Sequence, residues 1–174
     1  TGEPYLSPQP QLVENWKSSL AASDGKFRIG LRWAGNPQFD HQQLRVFPPE
    51  MLFDLPQHDR AAYFSFQKDD SRTEIPSHVT DLGPALFSWE DTAAALANMD
   101  LVISSCTSVA HLSAAMGIPT WIIVPALPYW IWALPGDRTP FYESARLFRQ
   151  SRYGDWNDVA QSLHVAVREI PIST

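Results

Sequence analysis

The stretch Leu101 to Val124, LVISSCTSVAHLSAAMGIPTWIIV, decides how the chain folds. Leu101 to Ser104 is a short apolar run of the buried-strand type, Thr107 to Met116 reads as a helix, and Thr120 to Val124 is a second strand rich in β-branched residues. Gly117 stands where a helix end calls for a left-handed residue, and Pro119 just beyond prevents continuation. Strand, helix and strand in that order form the unit of a parallel sheet. The first strand ends in small polar residues, Ser104 to Thr107, and the helix carries a histidine, His111, one turn in. Such a turn is either an ordinary strand-to-helix connection or a place where an anion sits.

The same alternation extends in both directions. Phe27 to Trp33, Ala61 to Phe66, Val79 to Leu82 and Ala145 to Arg149 read as further strands. Leu12, Trp16 and Leu20 mark one face of a helix over Gln11 to Ala22, and Pro48 to Leu55 is a short helix with proline in its first turn. Ser88-Trp89-Glu90-Asp91 matches a capping box before an Ala-rich helix, Thr92 to Asn98, and Trp156 to Val167 closes the chain. A long polar loop, Gln38 to Val46, follows the first strand. The expected fold class is α/β: a Rossmann-like parallel sheet of about six strands flanked by helices. Residues 1–10, rich in proline, read as a linker, and 11–174 as one domain.

Composition narrows the function classes. Thirteen Lys and Arg against 19 Asp and Glu give a net charge of −6, which lacks the footprint of a general nucleic-acid binder and leaves room for a locally basic pocket. The single cysteine, Cys106, excludes an internal disulfide and a cysteine-cluster metal site, and the five His show no i, i+4 ligand pair. No metal is expected, and the cysteine usage fits the cytoplasm. No transmembrane segment of about 20 apolar residues occurs, and Thr1-Gly2-Glu3-Pro4 does not resemble a signal peptide. The chain begins without Met, as a piece of something longer would.

In an open parallel sheet ligands bind beyond the carboxyl ends of the strands, at the topological switch point. A helix starting near Thr107 leaves free N–H groups and a partial positive charge at its first turn, where a phosphate fits. Thr107 and Ser108 add hydroxyl donors, and His111 points from the same face. The alternative is that Ser105 or Thr107 only caps the helix and His111 only packs. Arg32, in IGLRWAG, must reach the surface or a partner. Lys68 either faces the same crevice or pairs with Asp69 or Asp70. Gly35 and Asn36 form a turn that either admits a ligand or simply turns. Phe87 and Trp89 flank a base or pack as a staple, and Glu90 and Asp91 bind ribose hydroxyls or favour the positive end of their helix. Cys106 is a small buried residue or, given its place at a helix start, an activated thiol. Tyr129, Trp130 and Trp132 stack on a sugar or nucleotide, or seal an interface.

Taken in order, FRIGLRWAGNP, FSFQK, DLG, DTAAALANMDLVIS, TSVAHLSAAMGIPTWIIVP and RLFRQSRYGDW resemble the carboxyl-terminal half of glycosyltransferase family 9, the lipopolysaccharide heptosyltransferase-like group, especially bacterial members that follow tetratricopeptide repeats. The resemblance runs from about Pro4 to Trp156. It implies one half of a GT-B fold, binding a nucleotide-sugar donor without a cofactor or metal, with the amino-terminal domain absent and the acceptor unspecified. It also implies that Thr107 to His111 lie against the donor diphosphate, that Leu86 to Asp91 run along base and ribose, and that Arg32 to Asn36, Gln67 and Lys68 border the cleft. The catalytic candidates are then His111, Arg32 and Lys68, stabilising the leaving diphosphate. One position departs from the family pattern: Cys106 stands where Asp usually precedes the Thr, which puts donor-sugar contact in question. Three functions follow as expectations: a donor-binding domain of a metal-independent glycosyltransferase, a non-catalytic GT-B-derived binding module, and a nucleotide-sugar epimerase.

Overall fold

The computed structural model describes residues 2–38, 42–68 and 73–172. Six strands form one sheet in the order β3-β2-β1-β4-β5-β6, every neighbouring pair parallel. They are β1 Phe27–Arg32, β2 Ala61–Ser65, β3 Val79–Asp81, β4 Leu101–Ser105, β5 Thr120–Val124 and β6 Ala145–Arg149. The expected Rossmann-like α/β class is thus observed. The chain moves outward from β1 to β3, returns to the middle for β4 and proceeds to the opposite edge. Connections therefore diverge between β1 and β4, and that divergence opens a crevice at the carboxyl ends of these two strands.

Alternating side chains send the core to both faces of the sheet. Ile29, Leu31, Ile103 and Ile123 face α2 (Glu50–Phe53) and α5 (Asn157–Arg168), where Leu52, Val159 and Leu163 cover them. Their strand neighbours Phe64, Val102 and Ile122 turn to the other side, against α3 (Trp89–Leu96) and α4 (Ser108–Ala115). At Gly30 the absence of a side chain is required by packing: a Cβ there would come within 2.9 Å of the Phe66 ring. Gly117 adopts φ +80° just past α4, as its place after that helix implies.

The first helix, α1 (Pro10–Ser19), begins one residue earlier than its apolar spacing predicts and ends in a separate helical turn, Ala21–Ser23. Leu20 is the buried member of the predicted face, with Trp16 partly buried beside it. Asn98 ties the end of α3 to this helix by donating to the Val13 carbonyl over 3.1 Å. The proline-rich segment ahead of α1 is extended and docked. Tyr5 and Leu6 N–H groups both donate to the Ala115 carbonyl at 2.9 and 3.2 Å, and the Glu143 N–H donates to the Gly2 carbonyl at 3.0 Å. No helix among the described residues is long and apolar enough to cross a membrane.

Candidate functional site

The crevice at the switch point is a cleft of about 620 Å³. Its walls include the end of β1 and the turn after it (Arg32, Gly35, Asn36), the loop three residues past β2 (Lys68), the segment entering α3 (Phe87, Trp89) and the start of α4 (Thr107, Ser108, His111). The turn that sequence alone leaves open between a cap and an anion site therefore borders the cleft, through Cys106 to Val109 and His111.

The turn from β4 to α4 is built from buried small residues. Ser104 and Ser105 are 0% and 2% exposed, so the chain enters the helix from inside the sheet. Thr107 occupies the N-cap position with extended backbone, φ −117° and ψ 176°, yet no side chain caps the helix. Its hydroxyl instead lies 3.2 Å from Ser104 Oγ. The capping alternative for Thr107 is thereby corrected: the hydroxyl pairs backward, and no acidic residue stands in the first turn. Ser105 does not cap either.

His111, one turn on, is half-buried. Its ring stacks on Trp132 with centroids 4.9 Å apart and an interplanar angle of 29°, and its Nδ1 lies 3.0 Å from Tyr142 Oη. Burial holds the His111 pKa below the usual histidine value, which favours the neutral ring. Trp132 is buried in the cleft wall, Tyr129 is exposed and lines the cleft, and Trp130 is exposed outside it against Phe141, so the three aromatics do not act together. Arg149 sets this loop in place by donating to three carbonyls, Trp132, Leu134 and Gly136, at 2.5 to 2.6 Å.

The basic residues reach the cleft by different routes. Arg32 is 8% exposed and donates from Nη1 to the Phe66 carbonyl over 2.7 Å, joining the ends of β1 and β2 while lining the cavity. Lys68 is exposed at the opening; Asp69 and Asp70, its alternative partners, lie outside the described residues. Arg45 is a cleft residue that sequence reading passes over. It sits in the polar loop, donates to the Cys106 carbonyl over 2.9 Å and lines the cavity. The loop is anchored behind it, where Trp156 Nε1 donates to the Val46 carbonyl at 3.1 Å. Cys106 is buried, which pushes its thiol pKa up, against a lowering effect of Arg45; an activated thiol is not what the burial favours.

Phe87 and Trp89 are 81% and 58% exposed and line the cleft, so neither packs as a staple. Asp91 does act as a cap: its N–H donates to Ser88 Oγ at 3.0 Å while its carboxylate accepts from the Ser88 N–H at 3.1 Å. Glu90 is exposed in the same turn, and neither acid is among the cleft residues. Gln67 is also turned away from the cavity. It is buried, and its Oε1 accepts the Ala34 N–H at 3.0 Å, bracing the turn that carries Gly35 and Asn36. Asn36 accepts the Gln38 N–H at 2.9 Å within that turn. No group of three or more His, Cys, Asp or Glu able to hold a metal occurs among the described residues.

No protein-family model matches the chain. Protein FlbA of Caulobacter vibrioides is 27% identical over 180 residues, covering 97% of this chain and 30% of FlbA. Among solved structures, the Escherichia coli ADP-heptose LPS heptosyltransferase II aligns with a TM-score of 0.60 at 14% identity, over 95% of this chain and 54% of that one. The glycosyl transferase family 9 structure from Veillonella parvula gives a TM-score of 0.59 at 13% identity, over 97% of this chain and 53% of that one. The chain thus shares its fold with about half of each enzyme structure and spans less than a third of FlbA.

Proposed function

We propose that the cleft takes the diphosphate of a nucleoside diphosphate sugar, and that the chain is the donor-binding, carboxyl-terminal half of a metal-independent glycosyltransferase. The observation that carries this reading is the meeting, around one cavity at the switch point, of an uncapped helix start with Arg32, Arg45, Lys68 and His111. The likeness to half of two glycosyltransferase structures supports it.

In the proposed reaction the bond from the sugar's anomeric carbon to the diphosphate oxygen breaks with its electron pair staying on the diphosphate, while the acceptor's nucleophile bonds to that carbon and gives its proton to a base. The first-turn N–H groups of α4, the Thr107 and Ser108 hydroxyls and His111 hydrogen-bond the phosphate oxygens. Arg32, Lys68 and Arg45 oppose the charge as it builds, the preorganised electrostatics that lower such barriers most. Phe87 and Trp89 flank the base at the outer end of the cleft. The acceptor and its base come from an amino-terminal half outside these 174 residues, preceded by helical repeats in the whole protein.

Calorimetric titration of the chain with UDP, ADP and GDP tests the reading. Saturable one-site binding of one of them supports it, and no heat from any overturns it. Cys106 favours one other reading, a GT-B-derived module that binds a partner without catalysis. Donor binding without transfer, when the complete protein is offered an acceptor, would select that reading.

A further inference from the structure

His111 meets the cleft with one ring nitrogen already committed. Its Nδ1 faces Tyr142 Oη at 3.0 Å, and its ring stacks on Trp132 and meets the Tyr142 ring, whose centroid lies 5.8 Å away at 65°. Tyr142 is 6% exposed and lies outside the cavity wall, so it reaches a ligand only through His111. Burial and the neighbouring Tyr5 hydroxyl push the Tyr142 pKa up, and the phenol keeps its proton. A protonated phenol either donates to an unprotonated Nδ1, leaving the imidazole hydrogen on Nε2, or accepts from a protonated Nδ1, and an anion in the cleft selects the first arrangement. The reverse arrangement would leave an Nε2 lone pair for the cleft, opposed to an anion.

We propose that Tyr142 is a positioning residue that fixes His111 as its Nε2–H tautomer, so that the nitrogen left for the cleft is a donor matched to a phosphate oxygen. The stacked Trp132 fixes the plane of the ring, and the Tyr142 hydroxyl fixes which nitrogen carries the hydrogen. Tyr5 brings the docked segment ahead of α1 to the same hydroxyl, since its backbone N–H is held by the end of α4. Both the ligand and the choice of tautomer rest on the function proposed above, while the tautomer itself is read in the unliganded chain, without any nucleotide.

Long-range proton–nitrogen NMR of the histidine rings, at a pH well above histidine titration, reads the tautomer directly. The expected result for the full chain is an unprotonated His111 Nδ1 and a protonated Nε2. In Tyr142→Phe the two tautomers should mix, with the backbone amide spectrum showing that the variant is folded. A protonated Nδ1 in the unaltered chain overturns the proposal without any variant, and so does an unmixed tautomer in folded Tyr142→Phe. The nucleotide bound by the unaltered chain should bind Tyr142→Phe about threefold to tenfold more weakly, and the same change should have no effect in a His111→Ala background. An equal loss in that background would mean that Tyr142 acts on the cleft by another route and would overturn the proposal. Should UDP, ADP and GDP all fail to bind the unaltered chain, the donor reading falls while the NMR result still decides the tautomer.

Discussion

Two helices of eight residues each begin at the same cleft and treat their first turns in opposite ways. The start of α3 is closed by its own side chains, Ser88 and Asp91 exchanging hydrogen bonds with each other's backbone N–H, with Glu90 adding a second negative charge. The start of α4 has no capping side chain and no acid, and its one hydroxyl-bearing N-cap residue turns back to Ser104. Both helices face the same requirement, since free N–H groups at a helix start need acceptors. One meets it internally, and the other leaves its donors beside three basic residues and a histidine. The contrast separates a helix start closed by its own side chains from one whose first turn carries no side-chain cap and no acid.

The strongest way to break the contrast is to close the open turn. Ser108→Asp places a carboxylate where the diphosphate is expected, and nucleotide affinity should fall by about several kcal/mol, the cost of like charges brought together. The same carboxylate should raise folding stability by about 0.3 to 1 kcal/mol by meeting the helix dipole. Calorimetry and urea denaturation on one sample read both, and a variant that binds as before means that the turn holds no anion. His111→Ala should cost about 1 to 3 kcal/mol of nucleotide affinity if the ring donates to a phosphate; unchanged affinity removes it from the site. Ser88→Ala sharpens the contrast from the other side. It should cost about 1 kcal/mol of stability with little change in affinity, and a comparable affinity loss would mean that the two turns do not divide their roles.

The smallest effect concerns pH. Because the folded His111 pKa lies below its unfolded value, the unfolded chain takes up a proton before the folded one as pH falls. This contribution to stability is fully present above about pH 6.5 and is lost as pH falls through the depressed folded value. Urea midpoints followed across that range should decline less steeply in His111→Gln, and parallel slopes would assign the decline to other groups.

Much of this arrangement is legible in the sequence where periodicity speaks. The bounds of β5 and β6 fall where their apolar runs place them, and the capping box at Ser88 forms as its spacing indicates. The start of α4 is displaced by a single residue, since Thr107 is its cap and not its first helical residue. The rest depends on contacts that no local pattern encodes. Arg45 comes from an aperiodic loop and is brought to Cys106, 61 positions away, by an anchor on Trp156. Tyr142 reaches His111 across 31 positions from a segment with no helical or strand signal of its own. Gln67 looks like a polar loop residue beside Lys68, yet burial directs it inward to the Ala34 N–H. Local spacing can identify a turn as small and polar, but which side chains gather around it is decided by tertiary packing.

The crevice itself owes nothing to any one side chain. It exists because the chain leaves the sheet in opposite directions on either side of β1 and β4. Side chains along its walls can therefore vary without disturbing the strands that frame it. A lineage carrying this fold inherits the cavity as a fixture and is free to vary the chemistry of its walls.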